Sequence, residues 1–495
     1  MSRRAPAAAE ALAAALLGAA QTLALVHGTA WWLALLCIAA LAQRVARVPV
    51  ARAALLGAAY GSAWIAAAVW WLFISMHRYG GLSAPSAVAA VALLALALSL
   101  YLALAMGLFA RLRTGRAVAD VPLFAALWLL AELARGVLFT GFPWAASGYG
   151  QIDGPLAWLA PWVGVYGIGA VLAALAAAVA RGTGGGAVAA LVLTVAALLP
   201  RAQFSEPGAT LRVALVQTGV AQDEKFAPER LPQALDWLAG ALTGAEADLV
   251  VAPETAIPLL PGQLDELVPG YRATLQAHFA QPGRAALLGL PLGDFDRGYT
   301  NSVAGWSAAG SYRYDKHHLV PFGEFIPRGF RWFTDLMNIP LGDFDRGGPN
   351  QPSFAVGGEQ LAPNICYEDL FGEELARRFG GPGPAPTILV NLSNIGWFGD
   401  TIAIDQHLAI SRLRSLELQR PMLRATNTGA TAIIDHEGRV TAQWPRQQRG
   451  VLHGTVQGRH GLTPLARWAA WAGLWPLAGP ALALVGLAAW RRRRH

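Results

Sequence analysis

Long stretches of this chain contain no charged residue, and they constrain its fold more than any other feature. No formal charge occurs in residues 11–43, although His27, Gly28 and Thr29 interrupt this stretch near its middle. A helix needs about 20 apolar residues to span a bilayer, so we divide residues 11–43 into two short spans. Further sparsely charged, apolar stretches lie at 54–76, 86–110, 121–140, 155–180, 184–200 and 468–490. The sequence therefore predicts a polytopic α-helical membrane domain with about eight spans.

The apolar stretches divide the chain into three parts. Residues 1–205 hold the first seven predicted spans, and residues 458–495 hold the eighth, followed by four consecutive arginines. Residues 206–457 have the composition of an ordinary globular domain. We therefore predict an N-terminal transmembrane domain, a soluble domain and a C-terminal transmembrane helix with a basic tail.

Arginines near the ends of the apolar stretches predict the orientation in the membrane. With eight spans, the flanking clusters all fall on one side: Arg3 and Arg4, Arg44, Arg47 and Arg52, Arg111, Arg113 and Arg116, Arg181, and Arg491 to Arg494. The positive-inside rule makes that side cytoplasmic and places residues 201–467 on the other side. If residues 11–43 formed a single span, the later clusters would lie opposite Arg3. This arrangement also accounts for the net charge of +7, so we expect no nucleic-acid partner.

Short β-rich runs alternate with helical stretches in the soluble part. Strands are predicted at 211–217, 248–252, 285–290, 360–365, 387–391 and 430–435, with a hairpin over 302–314. Helices are predicted at 233–242, 271–279 and 405–419. This pattern indicates a layered α/β or α+β domain.

Two rare residue types point to chemistry in the soluble part. Only two of the 38 basic residues are lysine, Lys225 and Lys316, and Cys366 is one of only two cysteines. Glu254, Lys316 and Cys366 each follow a predicted strand, where loops present functional groups. A thiol can attack a carbonyl, a carboxylate with a raised pKa can take its proton, and an ammonium can stabilise the oxyanion. By spacing alone, three unrelated surface or core residues remain the alternative.

The sequence segments around these residues resemble the motifs of a known family. Val-Ala-Pro-Glu-Thr-Ala, Tyr-Asp-Lys-His-His-Leu-Val-Pro-Phe-Gly-Glu-Phe-Ile-Pro and Asn-Ile-Cys-Tyr-Glu-Asp-Leu-Phe follow one another in this order. They resemble the Glu, Lys and Cys motifs of the nitrilase superfamily. Together with the predicted spans, the chain resembles the apolipoprotein N-acyltransferases, the membrane-bound branch of that superfamily. The resemblance covers essentially the whole chain and implies an αββα sandwich for the soluble domain.

The resemblance implies roles for individual residues. Glu254 would be the general base, Lys316 the residue that stabilises the oxyanion, and Cys366 the nucleophile that becomes acylated. Residues that match supporting or substrate-binding positions of the family are Glu324, Tyr367, Glu368, Trp397 and Phe398. The family often has Lys-Trp where this chain has Lys225 and Phe226, so an aromatic role at 226 is open.

The resemblance also implies the reaction, the partners and the location. Cys366 would take an acyl chain from a phospholipid, and the amine of a diacylglyceryl-cysteine lipoprotein would then attack the thioester. We expect a monomer in the bacterial inner membrane, with the catalytic domain facing the periplasm and without a cofactor. We expect no metal at His317 and His318, because adjacent residues of a strand point in opposite directions. The rival interpretations are a membrane-anchored amidase and a non-enzymatic scaffold.

Several features of the sequence have two possible interpretations. Glu132 and Arg135, three residues apart on a predicted span, are read as a neutralising pair near the membrane edge, with a functional role as the alternative. Lys225 is either a contact for a phospholipid headgroup or an exposed loop lysine. Four polar residues, which either brace the site or face solvent, are Glu417, Arg420, Arg424 and Asn427. The heptapeptide Leu-Gly-Asp-Phe-Asp-Arg-Gly occurs at both 292–298 and 341–347 without an evident reason.

Overall fold

The computed structural model describes residues 7–327, 329, 343–381 and 383–494. The chain forms two compact units. One comprises Met1–Phe73, Ser83–Ala202 and Ala472–His495, and the other comprises Ile74–Leu82 and Gln203–Trp471. The boundaries at 205 and 457 that we inferred from composition stay a prediction.

The first unit is helical. Its helices, with α5 at the boundary between the units, are α1 (Ala7–Gln21), α2 (Leu23–Val26), α3 (Trp31–Val45), α4 (Val50–Val69), α5 (Leu72–Ile74), α6 (Ala84–Leu112), α7 (Ala117–Val137), α8 (Ala160–Val179), α9 (Thr183–Leu198) and the C-terminal helix Trp475–Arg494. Short 3-10 turns are Gly28–Ala30, Leu138–Thr140, Ser147–Gln151 and Pro155–Leu159.

Six helical segments of the described chain are long and apolar enough to cross a membrane. They are Ala7–Val26, Gly28–Val45, Val50–Val69, Ala84–Leu112, Ala117–Thr140 and Pro155–Val179. The break at His27 is where residues 11–43 were divided. The number of spans is thus roughly the eight that were expected. The last two predicted stretches, 184–200 and 468–490, do not form single helices of full spanning length.

The last two predicted spans are less regular than the first six. Thr183–Leu198 is apolar but only 16 residues long, about one turn short of a bilayer. The stretch 468–490 falls on two helices, Pro464–Ala472 and Trp475–Arg494, which are bent by 77° and make a seventh span only if taken together. The first of these helices buries Leu465 and Ala469 in the second unit, which explains why the predicted span is broken.

Glu132 and Arg135 of α7 form a buried ion pair within the first unit, with 3.8 Å between the charged atoms. The Arg135 guanidinium donates to the carbonyl of Trp144 at 2.7 Å, and the Ser147 N–H donates to Glu132 at 2.7 Å. The Arg135 guanidinium also lies 5.2 Å from the Trp64 ring. The pair therefore holds the loop around Trp144 against α7, and its place near the membrane edge stays a prediction.

Two six-stranded sheets form the centre of the second unit. The first has the order β12-β1-β2-β3-β4-β5 and the second β11-β10-β9-β8-β7-β6. The strands are β1 (Ser205–Gln217), β2 (Leu249–Val251), β3 (Ala285–Asp294), β4 (Gly298–Ser307), β5 (Gly310–Asp315), β6 (Phe354–Val356), β7 (Glu359–Ile365), β8 (Ile388–Ser393), β9 (Met422–Thr426), β10 (Ala432–Ile434), β11 (Val440–Gln443) and β12 (Gly450–Gly461). Parallel pairing joins β1 to β2, β2 to β3, β7 to β8 and β8 to β9.

The sheets pack face to face, and helices cover their outer faces. Val213 and Leu215 of β1 point into the core between the sheets, whereas Ala214 and Val216 point to the outer core. A strand covered on both faces is apolar throughout, which explains the continuous run in β1. Helices of this unit are α10 (Leu231–Thr243), α11 (Pro261–Leu267), α12 (Tyr271–Phe279), α13 (Gly372–Arg377), α14 (Ile402–Leu418) and α15 (Pro464–Ala472), with shorter turns at Ser75–Tyr79, Cys366–Leu370 and Ile395–Phe398.

The outer layers follow the helical periodicity of the sequence. Leu231, Leu235, Leu238 and Leu242 recur on one face of α10 and are buried against the first sheet. Leu375 of α13 packs in the outer core of the second sheet. The predicted αββα sandwich is confirmed, although β6, β9, β11 and β12 were not foreseen.

Candidate active site

The three residues predicted to carry chemistry lie at the ends of strands. Cys366 directly follows β7, Lys316 directly follows β5, and Glu254 follows β2 by three residues. Lys316 is only 1% exposed, and its ammonium lies 3.3 Å from a carboxylate oxygen of Glu254. The thiol of Cys366 is within electrostatic range of both. The fold thus brings together residues that are 62 and 50 positions apart in sequence.

Glu324 completes the surroundings of the lysine. Its carboxylate lies 2.9 Å from the Lys316 ammonium and accepts a second hydrogen bond from the Val320 N–H at 2.8 Å. Burial lowers the pKa of Lys316, but the two carboxylates outweigh burial and hold that pKa well above its ordinary value. Lys316 is therefore a fixed positive charge.

Asn301 joins the two carboxylates and was not found from the sequence. Its side-chain amide donates to Glu254 at 2.8 Å and to Glu324 at 2.7 Å. The backbone N–H of Asn394 donates to the other oxygen of Glu254 at 2.8 Å. A lone asparagine inside a strand carries no motif, and a backbone donor is present in every residue except proline, so neither gives a signal in the sequence.

Glu254 is ionised, contrary to our expectation of a carboxylate with a raised pKa. Burial raises the pKa of Glu254, but Lys316, the Asn301 amide and the Asn394 N–H together bring it below the ordinary value. The expectation was wrong because the hydrogen-bonded ammonium outweighs burial. The carboxylate can accept a proton, but it gives up favourable interactions when it does so.

Cys366 has an unusual backbone and a protonated thiol. Its φ is 50°, in the left-handed region that L side chains rarely adopt. Burial, and then the negative charge of Glu254, raise the pKa of the Cys366 thiol to about 12, against the opposing effect of Lys316. The side chain is half-buried. At neutral pH the Cys366 thiol would therefore have to lose its proton before its sulfur could attack a carbonyl.

Glu368 connects the lysine and cysteine segments. Its carboxylate accepts hydrogen bonds from the His317 N–H at 2.7 Å and the His318 N–H at 3.1 Å. On the other side it accepts from the Ile365 N–H at 2.6 Å, next to Cys366, and from the Tyr314 hydroxyl at 2.9 Å. Glu368 thus fixes the distance between the backbones that carry Lys316 and Cys366.

The remaining predicted residues lie around this centre. Tyr367 is buried, with its ring 5.2 Å from that of Phe371. Trp397 and Phe398 are half-buried in the turn Ile395–Phe398, and Trp397 meets the edge of Tyr79 at 5.6 Å. These contacts do not test the predicted roles in substrate binding.

The two adjacent histidines have separate partners. His317 hydrogen-bonds through Nδ1 to the carbonyl of Gly347 at 2.8 Å, and His318 through Nδ1 to Glu374 at 3.0 Å. The part of the chain that the structure describes holds no cluster of metal-ligating side chains.

Lys225 is buried rather than an exposed loop lysine. Its ammonium donates to the backbone carbonyl of Glu254 at 3.2 Å, in a cavity of about 150 Å³ that Arg230, Trp237 and Arg449 also line. Burial lowers the pKa of Lys225 to about 8, against the opposing charge of Glu254. Phe226 next to it is half-buried.

The four polar residues read by default as a solvated helix face are buried instead. Glu417, Arg420, Arg424 and Asn427 are each at most 1% exposed. They are buried because each has polar partners: Glu417 pairs with Arg414 at 2.6 Å, and Asn427 accepts from the Thr218 hydroxyl at 2.7 Å.

Comparison with known proteins agrees with both units. Residues 17–178 match the family model of the apolipoprotein N-acyltransferase N-terminal domain, and residues 212–464 match that of the carbon-nitrogen hydrolases. The apolipoprotein N-acyltransferase of Verminephrobacter eiseniae is 55% identical over 81% of this chain and 80% of its own length. Those of Ralstonia nicotianae and Chromobacterium violaceum are 45% and 40% identical over 97% of this chain and 93% and 94% of their own lengths. The chain belongs to the apolipoprotein N-acyltransferase family.

Proposed function

We propose that this protein transfers an acyl chain from a membrane phospholipid to the N-terminal amine of a diacylglyceryl-cysteine lipoprotein, through a thioester on Cys366. The observation that carries the proposal is the Glu254 carboxyl group 3.3 Å from the Lys316 ammonium, with the Cys366 thiol within electrostatic range of both. Membership in the apolipoprotein N-acyltransferase family supports the substrates.

In the first half-reaction, Glu254 takes the thiol proton while the Cys366 sulfur attacks the ester carbonyl of the phospholipid. The positive charge of Lys316 stabilises the oxyanion that forms. The carbon–oxygen bond of the ester then breaks, the carbonyl reforms as the thioester, and the protonated Glu254 gives its proton to the departing alkoxide. The product is a lysophospholipid, and Glu254 is again a carboxylate.

In the second half-reaction, the amine of the lipoprotein attacks the thioester carbonyl. Glu254 takes one proton from the amine nitrogen, and Lys316 again faces the oxyanion. The carbon–sulfur bond breaks, the amide forms, and the proton passes from Glu254 to the sulfur. Because both half-reactions use the same groups and the donor leaves before the acceptor reacts, the kinetics are ping-pong.

We assign supporting roles to the residues around the three reacting groups. Glu324 holds Lys316 in place through its 2.9 Å ion pair, and Glu368 sets the position of the nucleophile segment. We propose that Tyr367, Trp397 and Phe398 contact the acyl chains of the substrates, since aromatic side chains offer large apolar surfaces.

The membrane setting fits substrates that carry acyl chains. Exposing a chain to water costs about 0.8 kcal/mol per CH₂, so neither substrate should leave the bilayer. The arginines at the ends of the apolar stretches support a bacterial inner-membrane protein with its catalytic domain on the periplasmic side. We also propose that the protein acts as a monomer.

The decisive experiment looks for the acyl-enzyme. Purified full-length protein is incubated with phospholipid vesicles, and its intact mass is measured. We expect the wild type to gain one acyl group and the Cys366→Ala variant to gain none. If a folded wild type stays unmodified, the thioester mechanism is wrong.

A second step separates the acyltransferase from an amidase-like hydrolase. The acylated protein is mixed with a diacylglyceryl-cysteine peptide that has a free α-amine, or with the same peptide acetylated at that amine. We expect only the free amine to remove the adduct and to gain its mass. Equal loss of the adduct with both peptides, together with free fatty acid, would instead identify a hydrolase.

A further inference from the structure

A group of buried polar side chains contacts the carbonyl oxygen of Cys366. The Asn391 side-chain amide donates to it at 3.2 Å, and Nε2 of His407 lies 3.2 Å from it. Asn391 belongs to β8 and His407 to α14, and both are at most 1% exposed. Two side chains from different elements therefore hold one backbone atom of the nucleophile.

Hydrogen bonds around His407 decide which ring nitrogen carries the proton. The Arg424 guanidinium donates to Nδ1 at 2.8 Å. Because a guanidinium has only donors, Nδ1 must be the acceptor and Nε2 must bear the proton. The Nε2–H faces both the Cys366 carbonyl and a carboxylate oxygen of Asp369, the latter at 2.8 Å. Burial and the neighbouring Arg424 also lower the pKa of His407, which agrees with a neutral ring.

The same arginine orients the second donor. Arg424 donates to the side-chain oxygen of Asn391 at 3.0 Å, which directs the amide nitrogen of Asn391 to the Cys366 carbonyl. Asp369 is held in turn by the Ser411 hydroxyl at 2.5 Å and pairs with Arg424 at 3.5 Å. We call these side chains the Arg424 network: Arg424, His407, Asn391, Asp369 and Ser411.

The nucleophile needs such a restraint. Cys366 has a φ of 50°, and a residue with a side chain keeps such a conformation only where its surroundings impose it. Its carbonyl belongs to the peptide unit that leaves the nucleophile, so fixing this oxygen limits rotation about ψ of Cys366. The direction of the thiol relative to Glu254 and Lys316 then depends on the network.

We propose that His407, held as the Nε2–H tautomer by Arg424 and Asp369, is a positioning residue that keeps the backbone of Cys366 in its reactive conformation. It contacts no reacting atom and acts through the Cys366 carbonyl. The inference rests on the proposed role of Cys366 as the nucleophile. The competing explanation is that the Arg424 network stabilises the fold and has no effect on the rate of the folded protein.

The test compares three variants of the full-length protein. The His407→Gln variant keeps an amide N–H near the position of Nε2, the shorter His407→Asn variant is polar but does not reach the carbonyl, and His407→Leu removes the donor. Single-turnover acylation of Cys366 is measured against phospholipid concentration. We expect His407→Leu and His407→Asn to lower the saturating rate by about 10- to 100-fold, with the half-saturating lipid concentration unchanged, and His407→Gln to recover most of the rate.

The comparison is made on folded protein, judged by size-exclusion chromatography and by the melting temperature. If His407→Leu does not fold, His407→Asn with its polar side chain decides. Near wild-type saturating rates in the folded fraction of the Asn or Leu variant would overturn the proposal, because a purely stabilising network lowers the melting temperature alone. Equal rate losses in all three variants would also overturn it, since the donor at Nε2 would then be irrelevant.

Alkylation of Cys366 by iodoacetamide separates this inference from the proposed function. It needs no lipid, and we expect the same order of rates among the variants, with His407→Gln ahead of His407→Asn and His407→Leu. If the wild type is alkylated but never acylated by phospholipid, the proposed acyl transfer fails, while the alkylation rates still decide the role of His407.

Discussion

The ammonium of Lys316 lies 2.9 Å from a carboxylate oxygen of Glu324. A carboxylate oxygen of Glu254 lies 3.3 Å from the same ammonium, so two acids enclose the lysine, which is only 1% exposed. A compact point charge fits this space, whereas a guanidinium is planar and larger.

We therefore expect Lys316→Arg to lower acylation of Cys366 at least about 100-fold, the loss typical of removing one oxyanion donor. The positive charge is kept, so the loss would come from geometry. The rate is measured by mass spectrometry, with Arg212→Lys as the control, because this exchange lies in an exposed ion pair with Asp248. Near-normal turnover of Lys316→Arg would falsify the need for a lysine.

Exchanging Glu368 for glutamine should separate the lysine and cysteine segments. The Glu368 carboxylate now accepts hydrogen bonds from backbone N–H groups such as those of His317 and Ile365. The glutamine amide would place its own N–H groups against these donors. We expect the stability to fall by about 1–3 kcal/mol and the acylation rate to fall with it. Urea titration measures the stability, and the rate at which the acyl adduct forms measures acylation. The control is Glu266→Gln on the exposed side of α11, and equal effects of both exchanges would contradict the assigned role.

The sequence predicted that Glu254, Lys316 and Cys366 come together, because each follows a strand end in a dense motif, and the structure does bring them together. Their catalytic roles stay a prediction. Asn301 could not be found, since its importance comes from lying between two carboxylates that meet only in the fold. The direction of the Glu254 pKa was missed for the same reason, because it depends on how closely Lys316 approaches.

Sequence patterns also could not distinguish a buried polar network from a solvated helix face. The helix at 405–419 was predicted correctly, and the structure has it as Ile402–Leu418. Its polar residue His407 is buried because Arg424 and Asp369 satisfy both ring nitrogens, and such pairing leaves no periodicity in the sequence. The described part of the second copy of the heptapeptide lies beside the residue that follows the first copy, where the Asp345 N–H donates to the Tyr299 carbonyl at 2.8 Å. This contact does not explain why the heptapeptide is repeated.

Asn301→Asp should disable the site without changing its shape. A third carboxylate would replace the amide that now donates to Glu254 and Glu324. Three negative charges would then lie close together, and only Lys316 would compensate them. We expect the acylation rate to fall at least about 100-fold and the stability to fall by about 2 kcal/mol. Asn350→Asp, which makes the same exchange at an exposed position, is the control. An active Asn301→Asp variant would mean that Asn301 does not hold the two carboxylates.

Reporter fusions test the proposed orientation. With eight spans, a periplasmic reporter fused after Arg201 should be active, and one fused after Arg116 should be inactive, because the arginine clusters lie on the cytoplasmic side. A cytoplasmic signal after Arg201 would overturn the orientation. A fusion after Arg494 tests whether the bent pair Pro464–Ala472 and Trp475–Arg494 crosses the membrane once. If it does, the chain ends in the cytoplasm and a periplasmic reporter fused there should be inactive.

The pH dependence of Cys366 alkylation should reveal the charge of Glu254. Burial and Glu254 raise the pKa of the thiol to about 12, so the alkylation of the wild type should not show the midpoint of about 8.5 that an ordinary thiol has. Glu254→Gln removes the neighbouring negative charge and leaves Lys316 to favour the thiolate, so the midpoint should move to lower pH. The same variant should lose acylation by phospholipid, because the proton acceptor is gone. Iodoacetamide labelling rates are measured from pH 6 to 11. The wild-type rate should still be rising at pH 11, whereas the rate of Glu254→Gln should rise at lower pH, and Glu266→Gln is again the exposed control. The same pH profile in Glu254→Gln and the wild type would show that the carboxylate does not control the thiol, even if acylation is lost.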